Sequence, residues 1–290
     1  MYIKRHIENE ILKASKNYPV VMVCGQRQVG KSTMLNHIKE HDRRYVTLDD
    51  INARRLAEND VGLFFETYGT KLLIDEIQRV PTILLEIKRI VDERALNGED
   101  NSGMFWLTGS QKFQMMKNVS ESLAGRVAVF DMSGLSSAEI EERPLSCFSP
   151  EIEKLKDAAK NIHKKNIHDI YNQIFRGGMP KLITTDIDRD RYYADYVNTY
   201  LERDIKDLSQ VGKLSEFFDF LVLIAARTAQ ELKYDEIAKA IGVSSPTIKS
   251  WISILERSGI IVMLRPYAST LTNRLVKMPR PLHRFQVFLE

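Results

Sequence analysis

Five short apolar runs recur through the first half of the chain, at 20–24 (VVMVC), 45–48 (YVTL), 71–74 (KLLI), 104–108 (MFWLT) and 127–131 (VAVFD). Polar or helical-period stretches separate them. Short, nearly continuous apolar runs are those of strands buried on both faces, so the pattern predicts a mainly parallel sheet with crossover helices. After Pro144 the character changes. Residues 151–228 keep a helical period almost throughout, broken chiefly at Gly177-Gly178-Met179-Pro180. Further on, 234–241 reads as a short helix with Ile237, Ala238 and Ile241 on one face, closed by a turn at Gly242. Ser244 or Ser245 can cap a second helix that carries Pro246 in its first turn. Ile248, Trp251, Ile252 and Leu255 follow at i, i+3, i+4 and i+7, an inward stripe. A strand at 260–264 and a basic loop at 267–277 complete this third pattern.

Composition narrows the class without identifying a partner. The 290 residues are 43% hydrophobic and 28% charged, as in ordinary globular chains, and a net charge of +3 selects no ligand. Cys24 and Cys147 make neither a disulfide framework nor a ligand cluster, which suits a reducing compartment. His163 and His168 lie five apart and so on different helix faces, which argues against a metal site. The opening MYIKRHIENE is charged where a secretory signal would be apolar. The longest apolar stretch, 217–226, contains Asp219 and falls short of the ~20 residues that span a bilayer. The expected location is cytoplasmic, with no membrane partner.

The first chemistry-bearing motif is Gly25-Gln26-Arg27-Gln28-Val29-Gly30-Lys31-Ser32, followed by Thr33. It fits G-x-x-x-x-G-K-[ST] at every fixed position, between an apolar run and a helical one. Glycines let successive N–H groups turn inward on phosphate oxygens, and the following helix adds its positive end. Lys31 is expected on the β- and γ-phosphates and Ser32 on Mg²⁺. The second motif is Leu72-Leu73-Ile74-Asp75-Glu76, a strand ending in two carboxylates. Strand carboxyl ends are where ligands bind in such sheets. Asp75 is expected to hold Mg²⁺, and Glu76 to polarise the attacking water as general base. The expected fold class is therefore α/β. A P-loop NTPase parallel sheet with flanking helices occupies residues 1–145, a helical region 146–213 and a winged-helix domain 214–290.

Other residues extend this reading. Ser110, with Thr108 as the alternative, stands where a γ-phosphate sensor would, and Arg126 is a candidate arginine finger. A finger supplied by a neighbouring copy would require a homo-oligomer. No N-K-x-D guanine-reading sequence follows, which favours ATP. Thr247, Lys249, Ser250 and Ser253 give the second helix of the third pattern a small, hydrogen-bonding face suited to the major groove of double-stranded DNA. Between 257 and 289 the charges are Arg257, Arg265, Arg274, Lys277, Arg280 and Arg284, with no acidic residue, which suits phosphate contact. Winged helices also dock on proteins, so both partners stay open.

Together, GQRQVGKST at 25–33, LLIDEIQRVP at 72–81, LTGSQ at 107–111, SLAGRV at 122–127, GGMP at 177–180 and YLERDI at 200–205 resemble a prokaryotic AAA-type ATPase family. Its members join this core to an uncharacterised C-terminal domain. The resemblance implies a sensor strand between the P-loop strand and the acidic strand, then a winged helix, and no established substrate. Family members usually continue past a sequence like LVKMP into a domain resembling PD-(D/E)xK nucleases. Here Glu290 follows RPLHRFQVFLE, so nuclease activity is not expected. The function expected is Mg·ATP hydrolysis coupled to the winged-helix module. The alternatives are a nucleotide-gated DNA-binding regulator and a protein-docking signalling ATPase.

Overall fold

A computed structural model describes residues 1–110, 119, 122–145, 149–160, 165–200, 214–265 and 279–283. The first half alternates helix and strand: α1 (Glu8–Ser15), β1 (Val20–Gly25), α2 (Lys31–Ile38), β2 (Arg44–Thr47), α3 (Ile51–Asn59), α4 (Val61–Tyr68), β3 (Leu72–Asp75), a 3₁₀ turn (Ile77–Arg79), α5 (Ile83–Leu96), β4 (Phe105–Gly109) and β5 (Val127–Met132). The strands form one sheet in the order β2-β3-β4-β1-β5, and every pair is parallel. The strand bearing Ser110 at its exit thus separates the P-loop strand from the acidic one, the order the family resemblance implies.

Every residue of β1, β3 and β4 is buried, which is why these strands are continuous apolar runs rather than alternating ones. Successive side chains still divide between the faces. Val20, Met22, Leu72, Ile74, Phe105 and Leu107 pack with residues of α3, α4 and α5. Val21, Val23, Leu73 and Trp106 pack with Ile11, Met34 and Leu35. Asp50 caps α3 by accepting from the N–H groups of Asn52 and Ala53, which satisfies two otherwise unpaired donors.

The second half runs through α6 (Ser137–Ile140), α7 (Ile152–Lys160), α8 (Ile167–Arg176), α9 (Pro180–Thr184), α10 (Arg189–Tyr200), α11 (Leu214–Ala226), α12 (Tyr234–Ile241), α13 (Ser245–Arg257), β6 (Ile261–Leu264) and β7 (Arg280–His283). Among the described residues, the helical stretch expected over 151–228 is several helices, with the expected break between Arg176 and Pro180. Met179, Leu182, Tyr192, Tyr193 and Tyr196 complete the apolar layer over α1 and α2. Gly178 makes this junction, since a Cβ there would lie 2.4 Å from the Leu135 carbonyl oxygen. The Leu135 N–H donates to the Gly178 carbonyl at 2.6 Å. GGMP is thus a backbone-to-backbone seam between the end of β5 and the helical region.

A separate core gathers Phe217, Phe220, Leu221 and Ile224 of α11 with Ile237 of α12 and Ile248, Trp251, Ile252 and Leu255 of α13. Gly242 turns between α12 and α13 in the left-handed conformation, and Ser244 caps α13. β6 pairs antiparallel with β7 over 280–283, a strand the sequence pattern does not announce. Gln111, Cys147, His163, residues 201–205 and the basic stretch with Arg274, Lys277 and Arg284 lie outside the described residues. Among the described residues, no helix is long and apolar enough to cross a membrane.

Candidate active site

The loop between β1 and α2 is built by backbone constraint. Gly25 has φ +150, and a Cβ there would meet the Met132 carbonyl oxygen at 2.1 Å, so β5 presses directly on the loop entry. Gln28 (φ 61) and Gly30 (φ 92) are left-handed, which curls the loop before α2 begins at Lys31. Arg5 fixes the outer side of the turn. Its guanidinium donates to the carbonyls of Val29 at 2.9 Å and Ser133 at 2.6 Å, and pairs with Glu139 at 3.1 Å. Both side chains are buried. Burial works to raise the Glu139 carboxyl, but N–H donation from Ser136 and His6 and the Arg5 charge bring it below the usual carboxylate range.

Lys31 is buried and folded back, donating to the carbonyls of Gln26 at 2.7 Å and Gly25 at 3.0 Å. Burial lowers its pKa, opposed by the charges of Glu76 and Asp75. The Ser32 hydroxyl donates to Asp75 Oδ1 at 2.7 Å across 43 residues of sequence. The Thr108 hydroxyl donates to the same Oδ1, and Tyr45 donates to Oδ2 at 3.0 Å. Burial, then the Asp75 charge, pushes Tyr45 up to about 12, so it stays a donor. Glu76 turns left-handed (φ 57) at the end of β3, and its N–H donates to Thr108 Oγ1 at 3.2 Å.

A cavity of 440 Å³ opens between these segments. Arg27, Gln28, Gly30, Lys31, Ser32 and Thr33 line it from the loop, Glu76 from the acidic strand and Thr199 from α10. A curled loop, the Lys31 ammonium, hydroxyls and the Glu76 carboxylate in one cleft, with Asp75 bonded to Ser32 beside it, can hold a triphosphate. The oxygen-only donors Ser32 and Asp75 suit a hard cation such as Mg²⁺. Ser110 does not line the cavity; it is buried behind Glu76. Arg126 sits at the entry of β5, level with the start of β1 and so at the end of the sheet opposite the strand exits, donating to both carboxylate oxygens of Asp92 on α5 and to the Ala124 carbonyl. Arg126 is therefore not brought to the phosphate loop of its own chain, and a finger role would require that pair to open toward the site of another copy.

Two loop side chains reach the second half of the molecule. Gln26 donates to the carbonyl of Gly259, just past α13, and Gln28 accepts from the Tyr192 hydroxyl of α10 at 2.7 Å. Sequence reading singles out neither contact, nor Tyr45, Arg5 and Gln78. Each is an ordinary polar residue whose role arises from a partner distant in the chain. Lys249, Ser250 and Ser253 lie on the face of α13 away from its buried stripe, with the Lys249 ammonium 5.4 Å from the ring centre of Tyr234, whereas Thr247 is half-buried at the edge of that stripe with its hydroxyl 2.8 Å from that of Ser244.

Residues 17–141 match the model of a family described as AAA domain, and residues 167–282 match a domain of unknown function. Two curated relatives, uncharacterised proteins of Mycobacterium bovis (Mb2031c) and Mycobacterium tuberculosis (Rv2008c), are each 24% identical over 282 residues. Those matches cover 96% of this chain and 56% of each relative, so the chain spans about half their length. Among solved structures, the Walker-type ATPase PABY2304 of Pyrococcus abyssi superposes with a TM-score of 0.58 at 14% identity, covering 99% of this chain and 95% of the other. That likeness is one of fold.

Proposed function

We propose that this chain, whose residues 17–141 match an AAA-domain family model, binds Mg·ATP, hydrolyses it, and passes its nucleotide state to a winged-helix module at 214–290. The observation that carries this reading is the Ser32–Asp75 hydrogen bond, with Lys31 and Glu76 on the same cavity. Two motifs far apart in sequence converge on one cleft, as metal-assisted phosphoryl transfer requires.

The residues divide the work. The loop N–H groups between Gly25 and Ser32 and the Lys31 ammonium bind the β- and γ-phosphates, Lys31 exchanging its two loop carbonyls for phosphate oxygens. Ser32 and Asp75 would hold Mg²⁺, which when bound spreads the charge developing on the phosphates. Glu76 orients a water and takes its proton as the water oxygen bonds to the γ-phosphorus. The bond from that phosphorus to the bridging oxygen breaks, leaving ADP and inorganic phosphate. Phosphate-release assays with Glu76→Gln test this. Turnover should fall about 10²–10⁴-fold with ATP affinity kept, because the amide cannot act as a base. Equal rates for the two proteins would remove Glu76 from the mechanism.

The contacts of Gln26 with Gly259 and of Gln28 with Tyr192 support the coupling, because loop side chains that border the phosphates also touch α10 and the end of α13. DNA is the partner we favour for the module, on the grounds that Lys249, Ser250 and Ser253 stand opposite the buried stripe of α13. Duplex binding should be salt-sensitive and weakened by Lys249→Glu. Absence of duplex affinity even at low salt would leave a protein-docking role.

A further inference from the structure

The left-handed turn at Glu76 does more than end β3. It sends the chain straight into the 3₁₀ turn at Ile77–Arg79, so that the Gln78 side chain returns alongside that of Glu76. The Gln78 amide N–H₂ donates both to Glu76 Oε2 and to Ser110 Oγ, the latter at 3.1 Å. Ser110 Oγ lies 3.4 Å from the same Oε2, closing a triangle of amide, hydroxyl and carboxylate. Among the described residues, no hydrogen bond engages the other oxygen, Oε1.

The far end of the same amide is informative. Gln78 Oε1 is buried and has no partner. Buried polar atoms are ordinarily satisfied, and a glutamine serving packing alone would engage both ends. Here only the donor end is engaged, and both of its partners belong to the site. An amide suits the task because it donates strongly to a carboxylate without bringing a charge beside a triphosphate. An arginine or lysine at this position would neutralise the base it holds.

We propose that Gln78 is a positioning residue for hydrolysis: it fixes Glu76 through Oε2, leaves Oε1 to take the proton from water, and links Ser110 to the base. This rests on the reading of Glu76 as general base. On this account Ser110 acts through the amide and the carboxylate rather than on phosphate directly, in keeping with its place behind Glu76. In sequence, Gln78 stands out only as part of the LLIDEIQRVP run at 72–81, which gives it no role of its own.

The test is a double-mutant cycle on the full chain, with ATP affinity by calorimetry and turnover by phosphate release. Gln78→Leu keeps the bulk and removes the donor. It should lower kcat about 10–100-fold while leaving ATP affinity within about twofold, as loss of an oriented base does. In the Glu76→Gln background the same substitution should cost less than about twofold, because the group being positioned is gone. Gln78→Glu, nearly isosteric and set against Glu76, should lower kcat at least as much as Gln78→Leu and serves where the leucine variant fails to fold. Wild-type kcat in either folded variant, or an equal loss with and without Glu76, would overturn the proposal. Absence of turnover in the wild type would instead remove the hydrolysis reading on which it rests.

Discussion

The sheet half and the last third of the molecule are built to different rules. In the first, β1, β3 and β4 are buried at every position and deliver chemistry at their exits: Gly25, Asp75 with Glu76, and Gly109 with Ser110. In the second, α11–α13 close a core on Phe217, Phe220 and Trp251, and among the described residues no comparable polar cluster lies inside it. A parallel sheet aligns all its strand exits on one edge, so residues far apart in sequence can meet there. A three-helix core offers surfaces instead. The difference teaches that the sheet half gathers polar groups at one edge, whereas the described residues of the last third are organised around an apolar core. The two Gln contacts from the phosphate loop are where a response would begin.

The comparison can be broken most forcefully in the last third. Trp251 is buried among Phe217 and Phe220, so Trp251→Ala should cost about 3–5 kcal/mol of that core's stability. Calorimetric unfolding should show this transition lowered while nucleotide affinity persists. Simultaneous loss of both would mean that the halves fold as one unit. Lys31→Ala should weaken ATP binding by about 3 kcal/mol, since it deletes a charge-assisted contact to phosphate, with little change in melting temperature.

Glu139→Gln should cost about 2 kcal/mol, because Arg5 loses its buried anion under the phosphate loop. The pH dependence has a definite sign. The Glu139 carboxyl is depressed in the fold, so its contribution is present above the unfolded carboxylate value and is lost as pH falls through the folded one. Melting temperatures followed through that acid range should drop less in Glu139→Gln than in wild type. Gln26→Ala should cost about 1 kcal/mol and loosen the chain around Gly259, read by faster amide exchange at the end of α13. The smallest effect is expected on α8, where Tyr171 and Ile174 are 64% and 51% exposed. Ile174→Ser should shift stability by no more than about 0.5 kcal/mol. A larger loss would show that this amphipathic helix is covered in solution.

Much of this was legible before any coordinates. The apolar runs are the strands: in β1, β3 and β4 burial on both faces keeps them nearly continuous, while β2 and β5 at the sheet edges are partly exposed. The inward stripe at Ile248, Trp251, Ile252 and Leu255 is buried as its period requires. The P-loop reads locally because phosphate binding needs glycines, a lysine and a hydroxyl at consecutive positions. Ser110 and Arg126 were harder, since proximity to a strand end says nothing of which way a side chain is drawn. Asp92, on α5 between β3 and β4, holds Arg126, and Gln78 holds Ser110.

The amino-acid order alone determined the sheet, the phosphate loop, the acidic pair and the stripe of α13, since each depends on neighbours within a turn or a strand. Tertiary structure decided which groups meet: Tyr45 on Asp75, Gln78 on Glu76, Arg5 under Val29, and Gln26 on Gly259. The physical reason is range. Backbone periodicity and loop curvature are short-range properties of residue type, whereas a hydrogen bond forms between whichever donors and acceptors the folded chain brings within about 3 Å.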